Sequence, residues 1–229
     1  MMKKLILGAL AFLNATAAAP AMAITDITPP WGDAPAVANV GSYTVPTSPP
    51  APVIVIQIIQ WERMSDHACF AQQIGSAAGL STDYTIHGTT GDDILRIRKG
   101  TSEICGKTIN PLVYNGHFLD FAGGDGNDVL TTWGGDTWLW GEGGDDGLYS
   151  ENPSGKEDGG PGSDAITYVG PSGSARLVGG DGNDCLSDAN RTSRLFDCGA
   201  GSDLYIAGKI PVGAISCETS RPSCVRGTF

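Results

Sequence analysis

The chain has 229 residues, with 25 acidic against 14 basic side chains and a formal net charge of −11. That balance excludes nucleic-acid recognition, which needs clustered Lys and Arg to neutralise phosphates, and suits cation binding instead. Six cysteines, only three histidines and no C-x-x-C spacing point to disulfides rather than zinc.

Residues 1–23 combine basic Lys3 and Lys4, an apolar stretch from Leu5 to Leu13 and the small-residue exit Ala21-Met22-Ala23. This pattern predicts a cleaved secretory signal rather than a membrane span, and no Cys follows the expected cut to suggest a lipid anchor. Cleavage would leave 12 basic and 25 acidic residues, a net charge of −13, on a chain with no transmembrane segment, secreted or held outside the cytoplasm in the periplasm or at the cell surface. Residues 24–52 hold seven Pro among Ala, Thr and Ser and read as an extended linker or arm. An N-terminal cap is expected over 53–83, with a strand at Val53–Ile59 (VIVIQII) and a short helix over 61–80 covering the first coil of a repeat region. Residues 208–229 would cap the other end, so the chain reads as one domain with a flexible leader.

Between the caps, over 84–207, a nine-residue unit recurs. Copies start at Gly88 (GTTGDDILR), Gly123 (GGDGNDVLT), Gly141 (GEGGDDGLY), Gly159 (GGPGSDAIT), Gly179 (GGDGNDCLS) and Cys198 (CGAGSDLYI), with a degenerate unit at Cys105 (CGKTINPLV) in the one large gap. Successive starts lie 17, 18, 18, 18, 20 and 19 residues apart, twice the unit length, so each period is read as one coil with two turn-strand units on opposite sides. Two places before the starts stand Ile86, Glu103, Phe121, Leu139, Glu157, Leu177, Phe196 and, one coil on, Ile215; seven places after them stand Leu95, Leu112, Leu130, Leu148, Ile166, Leu186 and Tyr205. Apart from the two Glu these are large and apolar, as expected of strands that each send one side chain into a shared core. The predicted fold is all-β: a right-handed parallel β-solenoid, or β-roll, of about seven coils, each too small to bury its apolar residues alone.

Glycines at the first, second and fourth places allow positive φ and close backbone approach. The sixth place carries Asp93, Asn110, Asp128, Asp146, Asp164, Asp184 and Asp203, a column of carboxylates on strands stacked about 4.8 Å apart. Unscreened, they would repel. A Ca²⁺ between adjacent coils reverses the sign, because it takes six to eight oxygens at about 2.3–2.6 Å and accepts carboxylates and carbonyls together.

The nonapeptide resembles that of the repeats-in-toxin (RTX, haemolysin-type calcium-binding) family, whose consensus is G-G-x-G-x-D followed by x-apolar-x; the resemblance covers residues 84–217. It implies Ca²⁺ held by the carboxylates of Asp128, Asp146, Asp164, Asp184 and Asp203 and by carbonyls of the turns that carry Gly123, Asp125, Gly141, Gly143, Gly159, Pro161, Gly179 and Asp181. Asp93 would face Asn110, whose unit departs from the motif at Lys107 and Ile109, and the opposite turns (132–137, 150–155, 170–175) lack the motif, so one line of about four ions is expected. The N-terminal signal departs from a family that mostly exports through an uncleaved C-terminal signal.

Fifteen disulfide pairings are possible. Cys198 with Cys217 is favoured because both fall at one phase of successive coils; Cys69 with Cys105 would tie the cap to the solenoid and Cys185 with Cys224 the tail. Trp138 and Trp140 flank inward Leu139, so both should project from one outer face, either to stack on sugars or another cell-surface component or to pack beneath the N-terminal arm or the 150–158 segment. A hydrolase acting on polysaccharide or peptide would need a catalytic constellation. His67, His87 and His117 sit in no nucleophile motif, and acid-base work on a sugar by the pair Asp145 and Asp146 competes with their place in the turns. The sequence therefore reads as an exported, calcium-binding, non-catalytic binding or structural module, with a carbohydrate-binding protein as the alternative.

Overall fold

The computed structural model describes residues 25–45, 47, 53–80, 82–112, 114, 118–152, 155–170, 175–190, 195–206, 214–217 and 219–220. Among them every regular element is a strand. The chain begins with β1 (Thr25–Ile27) and β2 (Ala36–Val45) and folds back through β3 (Ile54–Arg63), β4 (Cys69–Ser76) and β5 (Gly79–Leu80). It then runs through β6 (Tyr84–His87) and β7 (Ile94–Ile97), leaves the stack for a hairpin of β8 (Ser102–Ile104) and β9 (Lys107–Ile109), and returns at β10 (Leu119–Asp125) and β11 (Val129–Trp133). The stack continues with β12 (Trp138–Gly143), β13 (Gly147–Glu151), β14 (Lys156–Pro161), β15 (Ala165–Tyr168), β16 (Arg176–Asp181), β17 (Cys185–Asp188), β18 (Leu195–Ala200), β19 (Leu204–Ile206), β20 (Ala214–Ile215) and β21 (Thr219–Ser220).

One sheet has the order β1-β6-β10-β12-β14-β16-β18-β20; the other stacks β2-β7-β11-β13-β15-β17-β19-β21 and is extended past β2 by β3, β4 and β5. All pairs inside the stack are parallel, and β3, β4 and β5 pair antiparallel. Parallel neighbours require a crossover, and here the crossover is the strand of the opposite sheet. The fold is thus a parallel β-solenoid with a covered first coil.

Register sets the core. Ile27, Ile86, Phe121, Leu139, Glu157, Leu177 and Phe196 align down the first sheet, and Ala38, Leu95, Leu130, Leu148, Ile166, Leu186 and Tyr205 down the second. Every one is buried. At about 1.5–3 kcal/mol for each large apolar side chain taken from water, these two columns supply the main cohesion between coils.

Several expectations are corrected. The unit at Cys105 is not a coil: Ser102–Ile109 forms an antiparallel hairpin, and β10 and β11 pair directly with β6 and β7. Cys105 and Gly106 both have positive φ, 56° and 68°, the geometry of a two-residue hairpin turn. Asn110 bridges Ser42 instead of joining the Asp column, Glu103 is exposed, and Leu112, though buried, lies outside the core column. Each sheet nevertheless stacks eight parallel strands, and the evenly spaced part from β10–β11 to β16–β17 makes up about four turns of that solenoid. Residues 25–27 and 36–45, expected within a linker, are the first coil, because Ala36, Ala38 and Val40 alternate inward as a strand requires. The helix expected over 61–80 is the antiparallel pair β4–β5, which continues the meander begun by β3. Ile215 pairs with Asp197, not with Phe196, and is exposed, so it does not continue the inward column. Most of the 208–229 cap and all of 1–23 lie outside the described residues. No helix among the described residues is long and apolar enough to cross a membrane.

Candidate metal centre

Six carboxylates, Asp93, Asp128, Asp146, Asp164, Asp184 and Asp203, stand one per coil where the turn enters the second sheet, and none is more than 2% exposed. The hairpin's departure from the stack brings Asp93 against the coil of Asp128, not that of Asn110. Each carboxylate has one oxygen in the scaffold. The Oδ1 of Asp128 accepts the N–H of Asp93 at 2.6 Å, that of Asp146 the N–H of Asp128 at 2.8 Å, that of Asp164 the N–H of Asp146 at 2.8 Å, that of Asp184 the N–H of Asp164 at 2.8 Å, and that of Asp203 the N–H of Asp184 at 2.9 Å.

The second oxygen behaves differently. In Asp93 it accepts from the N–H and hydroxyl of Thr89, at 2.5 and 2.8 Å. Thr89 holds the second place of its unit, where the following units have Gly124, Glu142, Gly160, Gly180 and Gly199. In Asp128 and Asp146 the Oδ2 is buried with no hydrogen-bond donor, a position that costs about 1–3 kcal/mol or more for a charged group. A Cβ placed on Gly123 would strike Asp128 Oδ2 and the carbonyl of Gly141; on Gly141, Asp146 Oδ2 and the carbonyl of Gly159. The same convergence recurs at Gly159, on Asp164 and Gly179, and at Gly179, on Asp184 and Cys198. First-place glycines are therefore required for space rather than for positive φ, a correction to the expected role. Positive φ is confined to the second and fourth places, as at Gly124 and Gly126, +105° and +114°. Glu142 is the non-glycine exception at +70°.

Burial pushes the carboxyl of Asp128 up to about 7 and that of Asp146 to about 8, against backbone donors that pull the other way and with neighbouring acidic side chains adding to the rise. Asp93 is raised for the same reason. Buried carboxylate oxygens set against carbonyl oxygens, all hard donors, fit Ca²⁺: Asp128 with Gly141, Asp146 with Gly159, Asp164 with Gly179, and Asp184 with Cys198 would hold it. The third-place carbonyls fit less well, since those of Pro161 and Asp181 already accept the N–H groups of Gly144 and Gly162. The Asp125 and Asp181 side chains are exposed. Asp125, with Asp33 and Glu142, lines an open groove of about 580 Å³ along the same turns.

A second ladder was missed by sequence reasoning. At the fifth place, Oδ1 of Asp92, Asn127 and Asp145 accepts the N–H of the next coil's Asn127, Asp145 and Ser163 at 2.8 Å, and Asn183 does the same for Ser202 at 2.9 Å. Short side chains with an acceptor at one constant phase were the available signal. Each turn is fastened forward by its fifth residue and backward by its sixth.

The two Glu that break the inward column have opposite fates. Glu157 is fully buried between Leu139 and Leu177, and burial drives its carboxyl up to about 8, with the charge of Asp188 adding and Ser150 offsetting part. Its surroundings, Thr132, Thr137, Ser150, Asn152 and Asp188, are also buried.

Disulfides join Cys69 to Cys105 and Cys198 to Cys217, with Cα separations of 5.9 and 5.1 Å. Cys185 is disulfide-bonded as well, and the expected partner Cys224 lies outside the described residues. Glu62 sits beside Cys69 and Cys105, but both sulfurs are committed to the bridge. Trp138 and Trp140 do share the outer face about inward Leu139, with ring centroids 5.9 Å apart and planes at 72°. Trp138 is 43% exposed, while Lys156 Nζ lies 3.8 Å from the centroid of Trp140 and 2.8 Å from Asp158. His67 contacts Glu62, His87 contacts Asp26, and His117 lies outside the described residues. Comparison with protein-family models, curated proteins and solved structures finds no match.

Proposed function

We propose that this is a calcium-binding β-solenoid of the repeats-in-toxin kind, exported from the cytoplasm, in which about four Ca²⁺ between successive coils complete the fold of a non-catalytic binding or structural module. The observation that carries this reading is the second oxygen of Asp128 and Asp146: buried, without a donor, and facing a carbonyl of the next coil. At Asp128 and Asp146 the scaffold uses one carboxylate oxygen, and the other is placed to take a cation. Where a Thr hydroxyl replaces the glycine, at Asp93, that oxygen is satisfied by protein. At free Ca²⁺ a hundredfold above the dissociation constant, each site adds about 2.7 kcal/mol, so four independent sites add roughly 11, comparable to the whole stability of a domain. The disulfides support an oxidising compartment. Far-ultraviolet circular dichroism of the oxidised chain tests the reading: strand signal should fall in chelator and return on Ca²⁺ titration, and an unchanged spectrum in chelator would overturn it.

A second reading, compatible with the first, takes the Trp138 and Trp140 face as a carbohydrate platform. It is favoured by an exposed indole beside one already held by a lysine, with Asp158 adjacent for sugar hydroxyls. Retention on insoluble polysaccharide by the native chain, lost in Trp138→Ala with Trp140→Ala, supports it; no retention on any matrix retires it.

A further inference from the structure

We infer that the solenoid interior holds a further Ca²⁺ site, built from Glu157, Asn152, Ser150 and Asp188 and separate from the acidic ladder. The repeat itself asks for an apolar residue at Glu157, since Leu139 and Leu177 fill the same inward position one coil to either side. A carboxylate there, with no exposure, is a large cost in water-free surroundings, and neither of its oxygens receives a hydrogen bond. The Ser150 hydroxyl lies near it but short of hydrogen-bond geometry.

Asn152 points the same way. Its amide group donates to Thr132 Oγ1 at 2.9 Å and to the Thr137 carbonyl at 3.2 Å, which fixes the amide and leaves Oδ1 buried with no donor. The two residues meet around Gly155: a Cβ there would lie 2.6 Å from Glu157 Oε1 and 3.3 Å from the same Thr137 carbonyl that Asn152 engages. Ser150 Oγ accepts the N–H of Asn152 at 3.3 Å, and Asp188, 2% exposed, is near enough for its charge to act on Glu157. Three buried oxygens therefore lack donors on two residues that both border the Thr137 carbonyl. A single proton on Glu157 could serve one of them. One Ca²⁺ takes six to eight oxygens, and carboxylate, amide and hydroxyl oxygens are its ordinary ligands; the lack of nitrogen or sulfur donors argues against zinc or copper.

The site lies on the edge opposite the Gly-Asp turns, where the repeat motif is absent, so it is independent of the ladder and can be counted apart from it. Equilibrium dialysis of the full oxidised protein against saturating Ca²⁺ should give one ion fewer per chain for Glu157→Leu and for Glu157→Gln than for the unaltered chain. Leu matches the column and Gln preserves the shape, and the variant with the unaltered far-ultraviolet spectrum is the one scored. Asp146→Asn, which touches only the ladder, should retain the Glu157-dependent ion, and combining it with Glu157→Leu should remove one more. An unchanged ion count in the Glu157 variants overturns the inference, and shows Glu157 to be a buried neutral acid. Failure of the ladder alone would instead appear as a chain whose remaining ion still depends on Glu157.

Discussion

Replacing Asp146 by Asn should destabilise the protein in calcium and stabilise it in chelator. The side chain keeps its shape. Oδ1 can still accept the N–H of Asp128 at 2.8 Å, and the backbone donation to Asp164 is untouched. Only Oδ2 changes, from an acceptor without a donor, facing the Gly159 carbonyl, to an amide that can donate to that carbonyl. In chelator above about pH 8, where a carboxyl pushed to about 8 is ionised, this exchange removes a buried charge and adds a hydrogen bond, a gain of about 1 kcal/mol. In Ca²⁺ a hundredfold above its dissociation constant it removes one ligand oxygen and with it up to about 2.7 kcal/mol. For a domain near 200 residues, 1 kcal/mol moves the melting temperature by roughly 2–4 °C. Because the gain of about 1 kcal/mol persists in calcium and offsets part of that loss, the variant should melt roughly 3–7 °C lower than the unaltered chain in calcium and roughly 2–4 °C higher in chelator, read by thermal circular dichroism. A shift of the same sign in both conditions would refute the reasoning.

Gly123→Ala should cost about 1–3 kcal/mol by urea denaturation, because its Cβ overlaps Asp128 Oδ2 and the Gly141 carbonyl. Leu148→Ala, in the fully buried second column, should cost about 2–5 kcal/mol in calcium and chelator alike. Substituting Cys198 and Cys217 by Ser opens a bridge with a sequence separation of 19 and should lower stability by about 3 kcal/mol. The pH dependence above about pH 6 should disappear with metal. In chelator, Asp128 and Asp146 have folded-state values of about 7 and 8, raised above their ordinary 3.8. Their contribution to stability is thus fully present below about pH 4 and lost as pH rises through 7 to 8. Urea midpoints in chelator should therefore fall between about pH 4 and 8, whereas in saturating calcium, which holds the folded carboxylates ionised as they are in the unfolded chain, they should stay level above about pH 6.

Much of this architecture was legible because the repeat writes the same constraint several times. Leu130, Leu148, Ile166 and Leu186 keep one phase, and that phase is the core. The hairpin at 102–109 was misread because Cys105 falls 17 residues after Gly88 and Leu112 falls in phase, so a side excursion of nearly one period imitates a coil. The Cys105-Gly106 turn was the local signal against it. The first coil was hidden by the prolines around Ala36–Val45, although Ala36, Ala38 and Val40 alternate as a strand should. At the site, the carboxylate column was evident from residue type and spacing. The division of labour between its two oxygens was not, since it depends on which backbone N–H each Oδ1 meets in the neighbouring coil. Glu157 was visible as an interruption of the column. What Asn152 and Ser150 contribute arises only when the opposite turns close over it.

Isothermal titration of the oxidised, chelator-treated chain with CaCl₂ tests the central claim most directly. The account predicts uptake of about four ladder ions, with Glu157 adding one, accompanied by proton release near pH 7 as the raised carboxyls ionise. Absence of Ca²⁺ uptake at millimolar concentration would contradict it.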